Sequence, residues 1–253
     1  MNPNWLVNGL DGVEFARTRL GFEPDAKQSL MLGDRVRRGL LNCSRQWGKS
    51  TVAAAKAVHV AETRPKSLVL VLSPTHKQSA ELVRKAGEFV QRLGRVPRGD
   101  GQNPRSLLFP NGSRIVALAG REATVRGFSA VTLLLIDEAS RVSDDLYRAV
   151  RPMLAVSGGD LWLMSTPCGK RGFFYEEWAH GGDQWVRVAV TGEECSRIDQ
   201  ALVAEERANE NDRWFRQEYC CEFVDNEESL FDSDVIRAAI QDDVLPLDLR
   251  RRL

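Results

Sequence analysis

Cys43-Ser44-Arg45-Gln46-Trp47-Gly48-Lys49-Ser50-Thr51 is the stretch that decides how this chain is read. A short apolar run, Gly39-Leu40-Leu41-Asn42, precedes it, and a helical pattern opening Thr51-Val52-Ala53-Ala54-Ala55-Lys56 follows. Strand, loop, Gly-Lys-Ser-Thr and helix, in that order, is the layout of a phosphate-binding loop. Successive backbone N–H groups and a helix N-terminus there face an anion. Ser44, Arg45, Gln46, Trp47, Gly48, Lys49, Ser50 and Thr51 are therefore the candidate nucleotide-binding residues. Lys49 would reach the β- and γ-phosphates, and the Ser50 hydroxyl would ligate Mg²⁺. The pattern G-x-x-x-x-G-K-[ST] wants glycine where this chain has Cys43, and Gly-Lys-Ser alone recurs by chance. The rival reading is a turn before a surface helix with a solvated lysine.

A second stretch weighs against that rival. Val131-Thr132-Leu133-Leu134-Leu135-Ile136 runs into Asp137-Glu138-Ala139-Ser140. A continuous apolar run reads as a strand buried on both faces. Acids at its C-terminal end lie where open α/β sheets place their chemistry. Asp137 can hold Mg²⁺, directly or through water, and Glu138 can orient and deprotonate an attacking water. An acid followed by Glu points to a motor-type ATPase with its own general base, whereas GTPase switches usually position water with Gln.

Other residues would work with this pair. Arg45, inside the loop, can touch the γ-phosphate and stabilise charge in the transition state; otherwise it is a solvent-facing arginine. Arg126 lies on the approach to the acidic strand and could act in cis, or in trans as an arginine finger. Its bland alternative is membership of a basic surface. Ser165-Thr166-Pro167 closes the apolar run 161–164, and its hydroxyls can sense the γ-phosphate and couple its loss to movement. Gln28 follows Pro24-Asp25, and its amide can pair with adenine, although a lone Gln on a helix is more often solvated. Trp47 either packs on the helix below or covers the nucleotide.

The whole chain accommodates such a site. Its 253 residues are 43% hydrophobic and 28% charged, as in ordinary soluble domains. No apolar run approaches the ~20 residues that span a bilayer, and Met1-Asn2-Pro3-Asn4-Trp5 lacks a signal-peptide pattern. Five cysteines without a C-x-x-C pair, and three scattered histidines, suggest neither a disulfide framework nor a zinc site. A reducing cytoplasm fits best. The net charge of zero hides an asymmetry: residues 1–130 hold 21 Lys/Arg against 10 Asp/Glu, and residues 131–253 hold 14 against 25. The two halves are either differently solvated faces or surfaces for nucleic acid and for head-to-tail assembly.

Strands are expected near 39–43, 67–73, 131–136, 161–164 and 185–190, with a hairpin through Asn111-Gly112. Helices are expected at 12–21, 25–38, 49–63, 75–93, 143–151 and 169–178, and a mostly helical, acidic pattern from Ser196 onward. Alternating strand and helix means a mainly parallel sheet with helices on both faces.

The motifs taken together resemble the ATPase of tailed-bacteriophage large terminase subunits, motors that package DNA into empty capsids. They are Pro24-Asp25-Ala26-Lys27-Gln28, Ser44-Arg45-Gln46-Trp47-Gly48-Lys49-Ser50-Thr51, Ser73-Pro74-Thr75, Arg126-Gly127, Leu135-Ile136-Asp137-Glu138-Ala139, Ser165-Thr166-Pro167 and the segment Phe215 to Phe223. The resemblance, from about 22 to 231, implies an α/β P-loop NTPase of the additional-strand, RecA/helicase-like type. It implies an ATPase core over 1–195 and a small helical lid and linker over 196–253. It further implies ATP and Mg²⁺ as cofactors, with Gln28 reading adenine, Lys49, Ser50 and Asp137 holding phosphates and metal, and Glu138 activating water. Arg45 would be the cis arginine, Arg126 a candidate trans finger, and Ser165 and Thr166 the coupling motif. The implied partners are double-stranded DNA, a portal protein, a small terminase subunit and copies of the chain in a pentameric ring on the procapsid, in the host cell cytoplasm. An isolated fragment would be a monomer, and no membrane is involved. Large terminases continue into a nuclease, and this chain stops at Leu253 where that would begin. An ATPase fragment, or a variant without nuclease activity, is therefore expected. Asp232, Asp234, Asp242 and Asp243 look helical and solvated rather than like nuclease ligands. A helicase-like remodelling ATPase and a non-catalytic, nucleotide-switched assembly module are the alternatives.

Overall fold

Each buried apolar run is a strand: β1 Arg38–Cys43, β2 Leu68–Ser73, β4 Arg114–Ala119, β5 Leu133–Asp137, β6 Asp160–Ser165 and β7 Val186–Val190. The short β3, Ser106–Leu108, pairs antiparallel with β4. These elements come from a computed structural model that describes residues 10–103, 105–120, 127–209, 212–225 and 239. The strands form one sheet in the order β3-β4-β2-β5-β6-β1-β7, and every pairing except β3·β4 is parallel. Strand β6 therefore stands between the strand feeding the Gly-Lys-Ser loop and the strand ending in Asp137. That inserted strand is the feature expected of the additional-strand architecture.

Helices cover both faces. Helices α1 (Gly12–Leu20), α2 (Ala26–Leu32), α3 (Lys49–Thr63) and α4 (His76–Arg92) enclose one core cluster with Val69, Val71, Leu133, Leu135, Trp162 and Met164. On the opposite face, α5 (Asp144–Val150) and α6 (Gly172–His180) cover Leu70, Leu72, Leu134, Ile136, Leu161 and Leu163. Alternate residues of one strand thus feed two cores, so these strands read as unbroken apolar runs rather than as half-buried stripes. Two further helices, α7 (Gln200–Asn209) and α8 (Asp212–Glu218), follow β7.

Local chemistry sets several boundaries. Thr75 caps α4, its Oγ1 accepting from the Gln78 N–H at 3.4 Å. Asp25 and Gln28 make a reciprocal capping box at the start of α2. That helix ends at Leu32 rather than running to Arg38, because Arg38 is taken into β1 opposite Leu161. The helix expected from Gly169 begins three residues later, at Gly172, because Gly169 sits at φ 75°, outside the right-handed helical region. Pro152 does end α5, and Arg151–Leu154 tightens into a 3₁₀ turn. No helix among the described residues is long and apolar enough to cross a membrane. Asp232, Asp234, Asp242 and Asp243 lie outside the described residues.

Candidate nucleotide site

The loop after β1 turns through two left-handed residues, Gln46 (φ 68°) and Gly48 (φ 102°), and α3 starts at Lys49. Left-handed residues between right-handed ones turn consecutive N–H groups inward, which makes an anion-binding concavity. The Lys49 ammonium is folded over its own loop, donating to the Cys43 and Ser44 carbonyls at 2.6 and 2.8 Å. Glycine is not needed at Cys43: it is the last residue of β1, fully buried, with its thiol donating to the Val188 carbonyl at 3.7 Å. Burial raises its pKa, so it is an inert packing group.

A cavity of about 630 Å³ opens over this loop and is walled by Arg45, Lys49, Ser50, Thr51, Glu138 and Arg141. The lysine loop and the acidic strand end therefore meet in one hollow, with β6 between them. Asp137, next to Glu138 in the chain but not on the cavity wall, is 7% exposed, and its Oδ1 accepts one hydrogen bond, from the Glu138 N–H at 3.1 Å. Burial, then the neighbouring Glu138, push its pKa up to about 6. A buried carboxylate with one donor and spare lone pairs is suited to a cation. Ser50 presents a hydroxyl in the first turn of α3, on the wall of the same cavity. No group of three His, Cys, Asp or Glu side chains able to hold a metal occurs among the described residues. Two protein ligands plus phosphates is how Mg²⁺ is usually held, so the donor set fits that ion.

Glu138 adopts φ 51°, a left-handed conformation that a non-glycine residue keeps only when its surroundings enforce it. Its Oε2 accepts from Ser165 Oγ at 3.5 Å and lies 3.9 Å from Arg141 Nε. The Ser140 hydroxyl lies 2.7 Å from Ser165 Oγ and donates to the Thr166 carbonyl at 2.8 Å. Ser165 and Thr166 thus touch the acidic turn directly, as their place at the end of β6 suggested.

Arg45 does not stand alone in the loop. Its Nε donates to Glu218 Oε2 at 2.8 Å, and Arg141 Nη2 lies 3.7 Å from Glu218 Oε1. Glu218, 5% exposed, ends α8, so a buried carboxylate from the C-terminal helices bridges the phosphate loop and the acidic turn. Nearby, the Asn42 amide donates to the Cys221 carbonyl at 2.8 Å.

Gln28 is fully buried, and both ends of its amide are engaged within the protein. Oε1 accepts from the Asp25 N–H at 3.1 Å and Nε2 donates to the Trp47 carbonyl at 3.2 Å. In this conformation it braces the loop. Trp47 is 3% exposed; its indole N–H donates to Asp25 Oδ2 at 3.0 Å, and Arg197 also binds its carbonyl. The tryptophan therefore packs inward rather than covering the cavity. Arg126 lies outside the described residues. Lys170, in the turn before α6, is paired with Asp225 at 3.1 Å.

Phe22, Gln78, Lys85, Arg141 and Arg197 also line the cavity, and no motif in the sequence points to them. Arg141 had a usable signal, three residues after Glu138 on a tight turn. Lys85 and Gln78 sit within an ordinary amphipathic helix, and Arg197 and Glu218 arrive from more than 140 residues beyond the loop.

The family model described as "Terminase large subunit, T4likevirus-type, N-terminal" matches residues 40–237. The large terminase subunit of Thermus phage G20c is 25% identical, with 84% of this chain and 51% of that protein covered. The chain spans about half the length of the curated relatives it matches. Among solved structures, the large terminase ATPase domain of Thermus phage P74-26 superposes with a TM-score of 0.74 at 23% identity, covering 85% of this chain and 100% of that one. The large terminase of another thermophilic bacteriophage, in complex with ATP-gamma-S, gives a TM-score of 0.63 at 12% identity, covering 86% and 52%.

Proposed function

The chain belongs to the large terminase subunit family of the T4-like-virus type, and on that footing we propose that it is the ATP-hydrolysing motor part of a viral DNA-packaging enzyme. The observation that carries the reading is one cavity lined by Lys49, Ser50 and Glu138, with the buried Asp137 next to Glu138 in the chain. Residues 1–195 would be the ATPase core and 196–253 a helical lid and linker.

ATP would enter with its phosphates over the N-terminus of α3. Lys49 would exchange the Cys43 and Ser44 carbonyls for β- and γ-phosphate oxygens. Bound between Ser50 and Asp137, Mg²⁺ would offset phosphate charge and fix the triphosphate geometry. Glu138, aimed by its left-handed backbone and by Ser165, would accept a proton from the attacking water. Arg45 and Arg141 would face the γ-phosphate, drawing Arg45 away from Glu218 and changing how the C-terminal helices are held. Nucleotide binding is also in keeping with the thermophilic phage terminase solved in complex with ATP-gamma-S.

The substrate moved would be double-stranded DNA. The setting would be a ring of copies docked on a portal protein, loaded by a small terminase subunit, in the host cytoplasm. Arg126 is the candidate to reach a neighbour's nucleotide. Mixed assemblies of Arg126→Ala and Glu138→Gln subunits regain turnover if it acts in trans, and absence of rescue makes it a cis or structural residue. The central test is Mg²⁺-dependent ATP turnover with and without double-stranded DNA. Turnover that falls roughly 100-fold in Lys49→Ala supports the site. Nucleotide binding with no turnover in either condition would leave an assembly module instead.

A further inference from the structure

Ser73 closes β2 at the same edge of the sheet at which Asp137 closes β5. The strands are neighbours, with Leu72 opposite Ile136, so Ser73 stands opposite Asp137 one register step further on. Val69 and Val71 of β2, and Leu133 and Leu135 of β5, project into the core beneath α3 and α4. Alternation continues that phase, so the side chains of Ser73 and Asp137 point to the same face. It is the face on which α3 carries Ser50.

Ser73 is fully buried, and its hydroxyl has no hydrogen-bond partner, although its carbonyl accepts from the Gly120 N–H at 3.2 Å. A buried hydroxyl without a partner gives up its hydrogen bonds to water and gains nothing in return. Beside it is a buried carboxylate with one donor and unused lone pairs. Neighbouring strands run about 4.8 Å apart, a separation that one water between the two side chains fills well.

We infer that Ser73 is a positioning residue for the divalent cation, its hydroxyl binding the Asp137 carboxylate or a water that touches both. The inference rests on the reading that Ser50 and Asp137 hold Mg²⁺ with a nucleotide. It adds a contact from the Ser73-Pro74-Thr75 motif, which none of the phosphate-site roles above uses. Partners of this kind orient a metal's ligands, and losing one typically costs about 10-fold or more in metal affinity.

The test uses the full chain with a fluorescent, non-hydrolysable ATP analogue, titrated with Mg²⁺ and repeated in EDTA. Ser73→Ala is expected to raise the Mg²⁺ midpoint about 10-fold and to leave binding in EDTA unchanged. Ser73→Thr, which keeps the hydroxyl, is expected to restore the midpoint. The ligand-free melting temperature of Ser73→Ala should not fall, because the hydroxyl it removes is unpaired. An unchanged midpoint in Ser73→Ala overturns the inference, as does an equal loss with and without metal. If the wild-type chain shows no Mg²⁺-dependent binding, the nucleotide site itself is wrong. A normal wild type beside an unaltered variant removes Ser73 alone.

Discussion

The two ends of the central sheet each carry a buried aspartate, and the protein treats them in opposite ways. Asp160, at the start of β6, is 5% exposed and is met by Arg37 at 3.4 Å and Arg64 at 3.3 Å. Asp137, at the end of β5, is 7% exposed and has a single backbone N–H donor, with its pKa driven up to about 6 by burial and by Glu138. Other groups repeat the contrast. At the Asp160 end, Ser113 Oγ donates to the Arg64 carbonyl at 2.9 Å, and the Asn111 amide donates to the Ala61 carbonyl at 2.8 Å. At the Asp137 end, the hydroxyls of Ser44 and Ser73 and the carbonyl oxygen of the Asn42 side chain are buried without partners. His59 Nδ1 in α3 is the one such atom among the described residues that lies away from the Asp137 end; the other three cluster at the edge proposed to bind nucleotide, where unpaired groups are left for a ligand.

That contrast breaks most visibly at Glu138. Glu138→Gln keeps size and hydrogen bonding but removes the base, so ATP turnover should fall by about 100- to 10,000-fold while analogue binding persists. Normal hydrolysis in the variant, measured by phosphate release, removes Glu138 from the role of base.

The paired aspartates come next. Asp160→Asn should lower unfolding free energy by about 1–3 kcal/mol, the worth of charge-assisted bonds lost at a packed edge. Asp137→Asn should do the reverse in EDTA at neutral pH, raising stability by about 1–3 kcal/mol. The sign follows from linkage: a carboxyl whose folded pKa is raised keeps a proton that the unfolded chain releases. Stability is therefore lost as pH rises from the usual carboxylate range through about 6. The advantage of Asn should accordingly appear above that window and vanish below it. Urea titrations of both variants at pH 4 and pH 7.5 check this, and equal destabilisation at neutral pH would abolish the distinction between the two edges.

The smallest effect is at His59, in α3 away from the binding edge. Burial, then Lys56, lower its pKa, while Nε2 contacts the Leu10 carbonyl at 3.1 Å. A histidine kept neutral in the fold contributes stability that is present above its unfolded pKa and lost as pH falls below it. Between pH 7.5 and 5.5 the melting temperature of the wild type should drop a few degrees more than that of His59→Gln. Parallel pH curves for the two proteins would show that His59 takes no part.

Much of this was legible because the signals are local. Gly48, Lys49 and Ser50 announce a loop and a helix start within a few residues, and Asp137-Glu138 follow an apolar run of strand length. Helical spacing continues past Leu32 and overstates the length of α2, whereas pairing with Leu161 claims Arg38 for the sheet. Trp47 could not be placed from the sequence because its indole partner, Asp25, lies 22 residues earlier across the loop. Glu218 was inside a recognised segment, yet its pairing with Arg45 spans 173 residues, beyond any spacing rule.

By itself, then, the sequence determined the alternation of strand and helix, the phosphate loop and the acidic strand end. Those depend on backbone conformation and hydrophobic period, which neighbouring residues set. The tertiary structure placed β6 between the two motifs, as the additional-strand type expects, and alone decided that Gln28 and Trp47 brace the loop from behind and that Glu218 joins Arg45 to Arg141. The order of strands in a sheet, and which buried polar groups find partners, are settled by packing the whole chain at once rather than by any window along it.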